Sequence, residues 1–163
     1  MTAYYGADYT TDSPARRCTR RGEVLCKRFT MIIAAAIVST DTLTPVRMPA
    51  DHRILEFTAY SPDLEDGNFV CEIGYTGNAN GIATSATLGR AAGVQTFPGA
   101  STSTGEHLSD AAAPTSDYDI LIDPTLVGTA TAGPLTISGF VLYTMDSLEY
   151  DPTDGPAAVA GTQ

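Results

Sequence analysis

The residues able to carry chemistry are few, and their spacing argues against most kinds of it. His52 and His107 are the only imidazoles in the 163-residue chain. A nucleophile with a base and an orienting group would need one of them beside an activated Ser or Cys, and no G-x-S-x-G elbow is present. Cys18 and Cys26 enclose seven residues, which is not the paired C-x-x-C spacing of a structural zinc site. Asp63, Glu65 and Asp66 beside Gly67 lack the alternating oxygens and the closing bidentate Glu of a calcium loop, so they read as a solvated turn. Gly74, Gly77 and Gly81 match neither phosphate-loop spacing and also read as a turn. No pair of carboxylates stands out for glycoside chemistry, which usually comes with aromatic platforms. The expectation is a protein that is not an enzyme and uses no cofactor and no metal.

The remaining reactive groups sit in one place. Of nine Lys and Arg residues, Arg16, Arg17, Arg20, Arg21, Lys27 and Arg28 fall within thirteen positions. Residues 1–28 carry six positive and three negative charges, whereas residues 29–163 carry three positive and sixteen negative. This is a basic arm on an acidic body. Such a body repels nucleic acid and anionic membrane, so neither is expected as a partner; the arm suits an acidic protein surface, a neighbouring copy included. Residues 1–23 show no apolar periodicity and cannot bury enough area to offset their ordering entropy, so they should order only on a partner. Tyr4, Tyr5 and Tyr9 supply contact area for it. Cys18 and Cys26 lie among these cations, which lower a thiol's pKa. They are the candidates for a disulfide, within the chain or to a neighbour, with free thiols as the alternative. Cys71 falls on the apolar side of a strand pattern and reads as a small buried hydrophobe.

What must position these groups is a set of strands. HRILEFTAY (52–60) and NFVCEIGYT (68–76) alternate with period two, with Leu55, Phe57 and Ala59 on one side of the first run and Phe69, Cys71, Ile73 and Tyr75 on one side of the second. SPDLEDG between them holds turn residues, so the pair is predicted to be a hairpin at the centre of an antiparallel sheet. FTMIIAAAIV (29–38) is too short to cross a bilayer, lacks a clean cleavage site after it, and reads as a buried strand or short helix. TLTPVRMPAD (42–51) reads as an edge segment, residues 82–97 as either strand or short helix, and 98–116 as a long polar connection.

DYDILID places Tyr118, Ile120 and Ile122 on one face. In PLTISGFVLYTM the residues Leu135, Ile137, Val141 and Tyr143 face one way, while Phe140 and Leu142 face the other. A strand apolar on both sides implies that its second face is covered, by the arm or by another subunit. About seven strands over residues 29–145, with no convincing amphipathic helix, predict an all-β fold, an antiparallel β-sandwich or small barrel. The predicted organisation is an arm (1–28), a body (29–145) and an acidic flexible tail (146–163).

Three stretches carry a family resemblance: GEVLCKRFTMIIAAAIVSTDTL, then MPADHRILEFTAYSPDLEDGNFVCEIGYTGNANG, then SDYDILIDPTLVGTATAGPLTISGFVLYTMD, together roughly residues 22–146. An Ala-rich apolar stretch ending near an Asp, a segment closing in I-G-Y before a Gly-rich turn, and a final strand opened by T-A-G-x-L resemble the decoration, or cement, proteins of tailed-bacteriophage heads. The basic arm and the acidic tail stand outside that pattern. The resemblance implies a virion structural protein on the capsid exterior, made in the host cytoplasm. It also implies the major capsid protein as partner and self-association as a homotrimer with Phe140 and Leu142 at the subunit contact. The basic residues named above would then meet acidic capsid surface, with Tyr4, Tyr5 and Tyr9 as anchors. A tail or fibre module and a secreted carbohydrate-binding or adhesive sandwich are the alternative readings.

Overall fold

Inward-pointing Phe29, Met31 and Ile33, set against Ile137, Val141 and Tyr143, begin the core around which two sheets assemble. The computed structural model describes residues 2–7, 9, 15, 23–64, 69–98, 114–126 and 134–145. Among them the strands are β1 (Ala3–Tyr5), β2 (Val24–Ile33), β3 (Thr42–Thr44), β4 (Arg47–Met48), β5 (His52–Ser61), β6 (Val70–Tyr75), β7 (Asn78–Ala86), β8 (Gly93–Pro98), β9 (Tyr118–Leu126) and β10 (Leu135–Met145), and there is no helix. One sheet has the order β1-β3-β9-β6-β7 with β4 also paired to β9; the other has the order β2-β10-β5-β8. All pairings are antiparallel except that of β1 with β3. The sheets stack as a sandwich with apolar inner faces and no closed barrel, which decides between the two all-β architectures that the alternating strands allow.

The predicted hairpin between residues 52 and 76 does not form. β5 joins the four-stranded sheet and β6 the six-stranded one, so the linking segment crosses from layer to layer. The reason lies in Leu64, which is buried in the core with its N–H donating to the Gly89 carbonyl at 2.8 Å. This apolar side chain, in a segment otherwise polar, holds the end of the run after β5 at the core. Gly89, at φ 94°, leaves room for it where a Cβ would meet the Leu64 side chain.

The alternation in β5 also breaks once. Leu142 opposes Glu56 but Tyr143 opposes Ile54, so Leu55 is the extra residue of a bulge. Phe57 and Ala59 therefore point inward as expected, whereas Ile54 replaces Leu55 in the core and Leu55 turns outward. The pattern in β6 holds: Phe69, just before it, and Cys71, Ile73 and Tyr75 are all buried. Residues 82–97, open between strand and helix, are strand over most of their length, in β7 and β8.

The chain's last described strand, β10, sits between β2 and β5 and holds the four-stranded sheet together. Gly139 makes this possible. A Cβ there would overlap the Thr58 carbonyl oxygen and come within 2.8 Å of the Phe29 ring, which lies over the glycine and stacks on Phe57 at 5.6 Å. β9 has the same central place opposite, with Tyr118, Ile120 and Ile122 inward as predicted. The Tyr118 hydroxyl donates to the His52 carbonyl at 2.6 Å and ties the two sheets at one end.

Candidate functional site

The N-terminal residues are built into the body. β1 adds in parallel to β3, with Ala3, Tyr4 and Tyr5 opposite Thr42, Leu43 and Thr44. Buried Asp41 fixes the start of this strand, accepting from the Thr2 N–H at 2.8 Å and from the Val38 N–H at 3.1 Å. Beyond Tyr5 the chain steps to the other sheet: the Gly6 N–H donates to Thr44 of β3 at 2.9 Å, and the Ala7 N–H donates to Thr30 of β2 at 2.6 Å. Gly6 also bridges Met31. Residues 2–7 thus clasp both layers along one side of the sandwich. Only glycine fits at the crossing, because a Cβ on Gly6 would overlap the Pro45 carbonyl oxygen.

This corrects the expectation that residues 1–23 order only on a partner, at least for residues 2–7 and 9. The unpaired edge of β3 supplies backbone groups that a three-residue strand can use without a large apolar area of its own. Tyr4 is half-buried and packs on the core, and burial first, then the Asp41 charge, pushes its hydroxyl up from the ordinary tyrosine value. Tyr5 is 52% exposed and its ring lies 4.8 Å from that of Tyr9. The Tyr9 hydroxyl donates to Asp119 at 3.1 Å, and the same carboxylate holds the Arg47 guanidinium at 3.4 Å. Burial raises the Tyr9 pKa; a hydrogen bond with Arg47 opposes the rise and the Asp119 charge adds to it. Ala15 is buried too, its N–H bonded to the Arg47 carbonyl at 2.8 Å. The three tyrosines therefore gather on one side of their own chain.

Of the basic residues, Lys27 and Arg28 lie in β2, so the boundary drawn after Arg28 falls inside that strand. Arg16, Arg17, Cys18, Arg20 and Arg21 lie outside the described residues, as do His107, Glu65, Asp66, most of the 98–116 connection and the tail from 146. Cys26 is exposed on β2. Cys71 is buried beside the Ala86 carbonyl, and desolvation pushes its thiol up to about 12. His52 is buried with Nδ1 2.7 Å from the Ala50 carbonyl oxygen. Among the described residues no three His, Cys, Asp or Glu side chains gather as a metal site would require.

The outer face of the four-stranded sheet is the surface that stands out. Phe140 and Leu142 are half-buried on it, opposite to inward Val141 and Tyr143 as the sequence predicts. Register places Phe140 between Arg28 and Thr58, Leu142 between Cys26 and Glu56, and Tyr60 beside Val94. Val24, Ile32, Tyr60 and Val94 add exposed apolar area, Val94 at 66%. The Thr58 hydroxyl donates to Glu56 at 2.9 Å. Glu56 is the one carboxylate among the described residues of this face. The outer face of the six-stranded sheet is different: Glu72 and Asp123 stand directly opposite each other in register. The sequence pattern singles out Phe140 and Leu142 but not Tyr60, which shares the outward phase of Glu56 and Thr58, nor Val94, whose segment it leaves open between strand and helix.

No family model and no curated protein sequence matches the chain. Two chains from solved structures share its fold. One belongs to the structure titled "Capsid of Ralstonia phage GP4", with a TM-score of 0.65 and 16% identity over 83% of this chain and 92% of that one. The other belongs to "Cyanophage Pam1 capsid asymmetric unit", with a TM-score of 0.59 and 16% identity over 84% of this chain and 97% of that one.

Proposed function

We propose that this chain is a structural component of a tailed-phage virion, a decoration or cement protein that binds the outer surface of the capsid and stabilises the lattice of the major capsid protein. The observation that carries the reading is the length of the fold match: two chains from phage capsid structures are covered over 92% and 97% of their own length by this one. The sequence resemblance to decoration proteins supports the outer-surface role independently. A cement protein needs no catalytic centre. Many weak contacts, repeated over a lattice, reach high avidity without any strong single site.

In this reading the docked residues 2–7 and 9 are the root of the arm. The cationic run Arg16, Arg17, Arg20 and Arg21 follows buried Ala15 and is the part that meets acidic capsid surface. Tyr4 and Tyr9 then act as anchors to the protein's own body, which fixes where the cations leave it.

The test is co-sedimentation of the full-length chain with expanded empty capsids of the source phage, beside a variant in which the four arginines are replaced by glutamine. Pelleting of the full chain at a fixed ratio to the major capsid protein, with much weaker pelleting of the variant at physiological salt, supports both parts. Failure of both to pellet removes the capsid reading. Equal pelleting keeps the capsid role and removes the arginines from it.

A further inference from the structure

The outer face of the four-stranded sheet lacks an occupant among the described residues, and its chemistry points to what covers it. We infer that it pairs face to face with the same face of a second copy of this chain, about a two-fold axis running along β10. This goes beyond the capsid reading and does not depend on it.

Three observations on that face carry the inference. The first is charge. The segment from residue 29 onward holds sixteen carboxylates and three cations, so two copies repel over most orientations. The four-stranded face, with Glu56 as its one carboxylate among the described residues, is where they can approach. The opposite face, with Glu72 beside Asp123, excludes the same contact.

The second is area. Under an axis along β10 three strands of each copy overlap, about 4.8 Å apart and roughly eight residues long, which gives about 400 Å² of plane per copy and about 800 Å² in all, the size of a weak, reversible interface.

The third is self-complementarity. An axis along β10 lays β2 of one copy over β5 of the other, because those strands flank β10 at equal distances. Phe140 and Leu142 then lie close to the axis and meet their own counterparts. Arg28, level with Thr58 across β10, comes over the β5 strand of the second copy with an offset along the strand of about 7 Å, two residues, from Glu56, and the two long side chains reach towards each other across the ~10 Å between stacked sheets. The pairing occurs twice by symmetry. A trimer, which the family resemblance implies, would need two different surfaces to meet, and this face already complements itself.

Sedimentation equilibrium of the full-length chain at tens of micromolar tests the inference, with Arg28→Glu, Glu56→Arg, the double exchange and Phe140→Asp alongside. The expected result is a reversible dimer for the native chain and at least tenfold weaker association for each single charge variant. The double exchange restores the dimer, and Phe140→Asp gives monomer. Circular dichroism checks that each variant keeps its strands, and the charge variants, on an outward face, do not disturb the core. A native monomer, a trimer, or a dimer indifferent to all four substitutions overturns the inference. Capsid co-sedimentation reads the other proposal separately, since a dimer that does not pellet sinks the capsid reading alone.

Discussion

Replacing Gly6 with alanine tests the clasp directly. The added methyl would overlap the Pro45 carbonyl oxygen, which is main chain and cannot swing aside, so residues 6–7 must lift away. Two hydrogen bonds go with them, from Gly6 to Thr44 and from Ala7 to Thr30. At about 1 kcal/mol net for each, the loss is about 2 kcal/mol. The alanine narrows the unfolded ensemble and returns roughly 0.5 kcal/mol, leaving a destabilisation of about 1.5 kcal/mol. With a urea slope of roughly 1.5 kcal/mol/M, the midpoint should fall by about 1 M at unchanged slope. Gly93→Ala is the control: a Cβ at Gly93 meets nothing within 4 Å, so its midpoint should stay level or rise slightly. If Gly6→Ala and Gly93→Ala unfold alike, the clasp contributes nothing, and residues 2–7 are the free arm that composition alone suggests.

Gly139→Ala should be more damaging, by about 3 kcal/mol or more, because the overlap falls on the Thr58 carbonyl and the Phe29 ring at the centre of the sheet; thermal unfolding measures it. Cys71 should make stability fall in alkali. Its thiol titrates near 12 when folded against an ordinary 9.0, so the folded state keeps a proton that the unfolded state releases. This contribution is complete below pH 9 and is lost as pH rises towards 12, by about 1.4 kcal/mol per unit. Between pH 9 and 10.5 the native chain should lose about 1.6 kcal/mol more than Cys71→Ala in urea titrations, and equal losses would show that the thiol is not buried as described. Tyr9→Phe removes the bond to Asp119 and should cost about 1 kcal/mol by the same titration, with no change in strand content.

How far the sequence could be read depended on whether a strand's partner left a local trace. β9 and β10 are legible because each alternates cleanly, and the double-sided pattern of β10 itself marks Phe140 and Leu142 as outward. The hairpin between β5 and β6 was misread because turn residues specify a change of direction and not the sheet in which the next strand lands. Leu64 was the available signal, an apolar residue in a polar turn. The bulge at Leu55 left no such signal, since it is set by the pairing with β10 some eighty-five residues later. β1 was invisible for a related reason: a three-residue strand draws its stability from the waiting edge of β3, and composition does not show edges. On the candidate surface, Tyr60 and Val94 are brought together by the pairing of β5 with β8, and the charge contrast between the two faces emerges only once the strands are assigned to layers.

The position of β10 also dictates the order of events during synthesis. Ile33 of β2 pairs with Leu135, and β5, whose other edge can take β8 earlier, needs the same late strand, so the facing edges of β2 and β5 stay open until residues 135–145 have been made. The nascent chain must carry β2 and β5 with unfilled edges through most of its translation. Closure of so large a loop is slow, on the order of milliseconds to seconds for all-β topologies. Fragments cut before residue 135 should therefore aggregate, and the folding rate of the whole chain should respond most to changes in its last described strand.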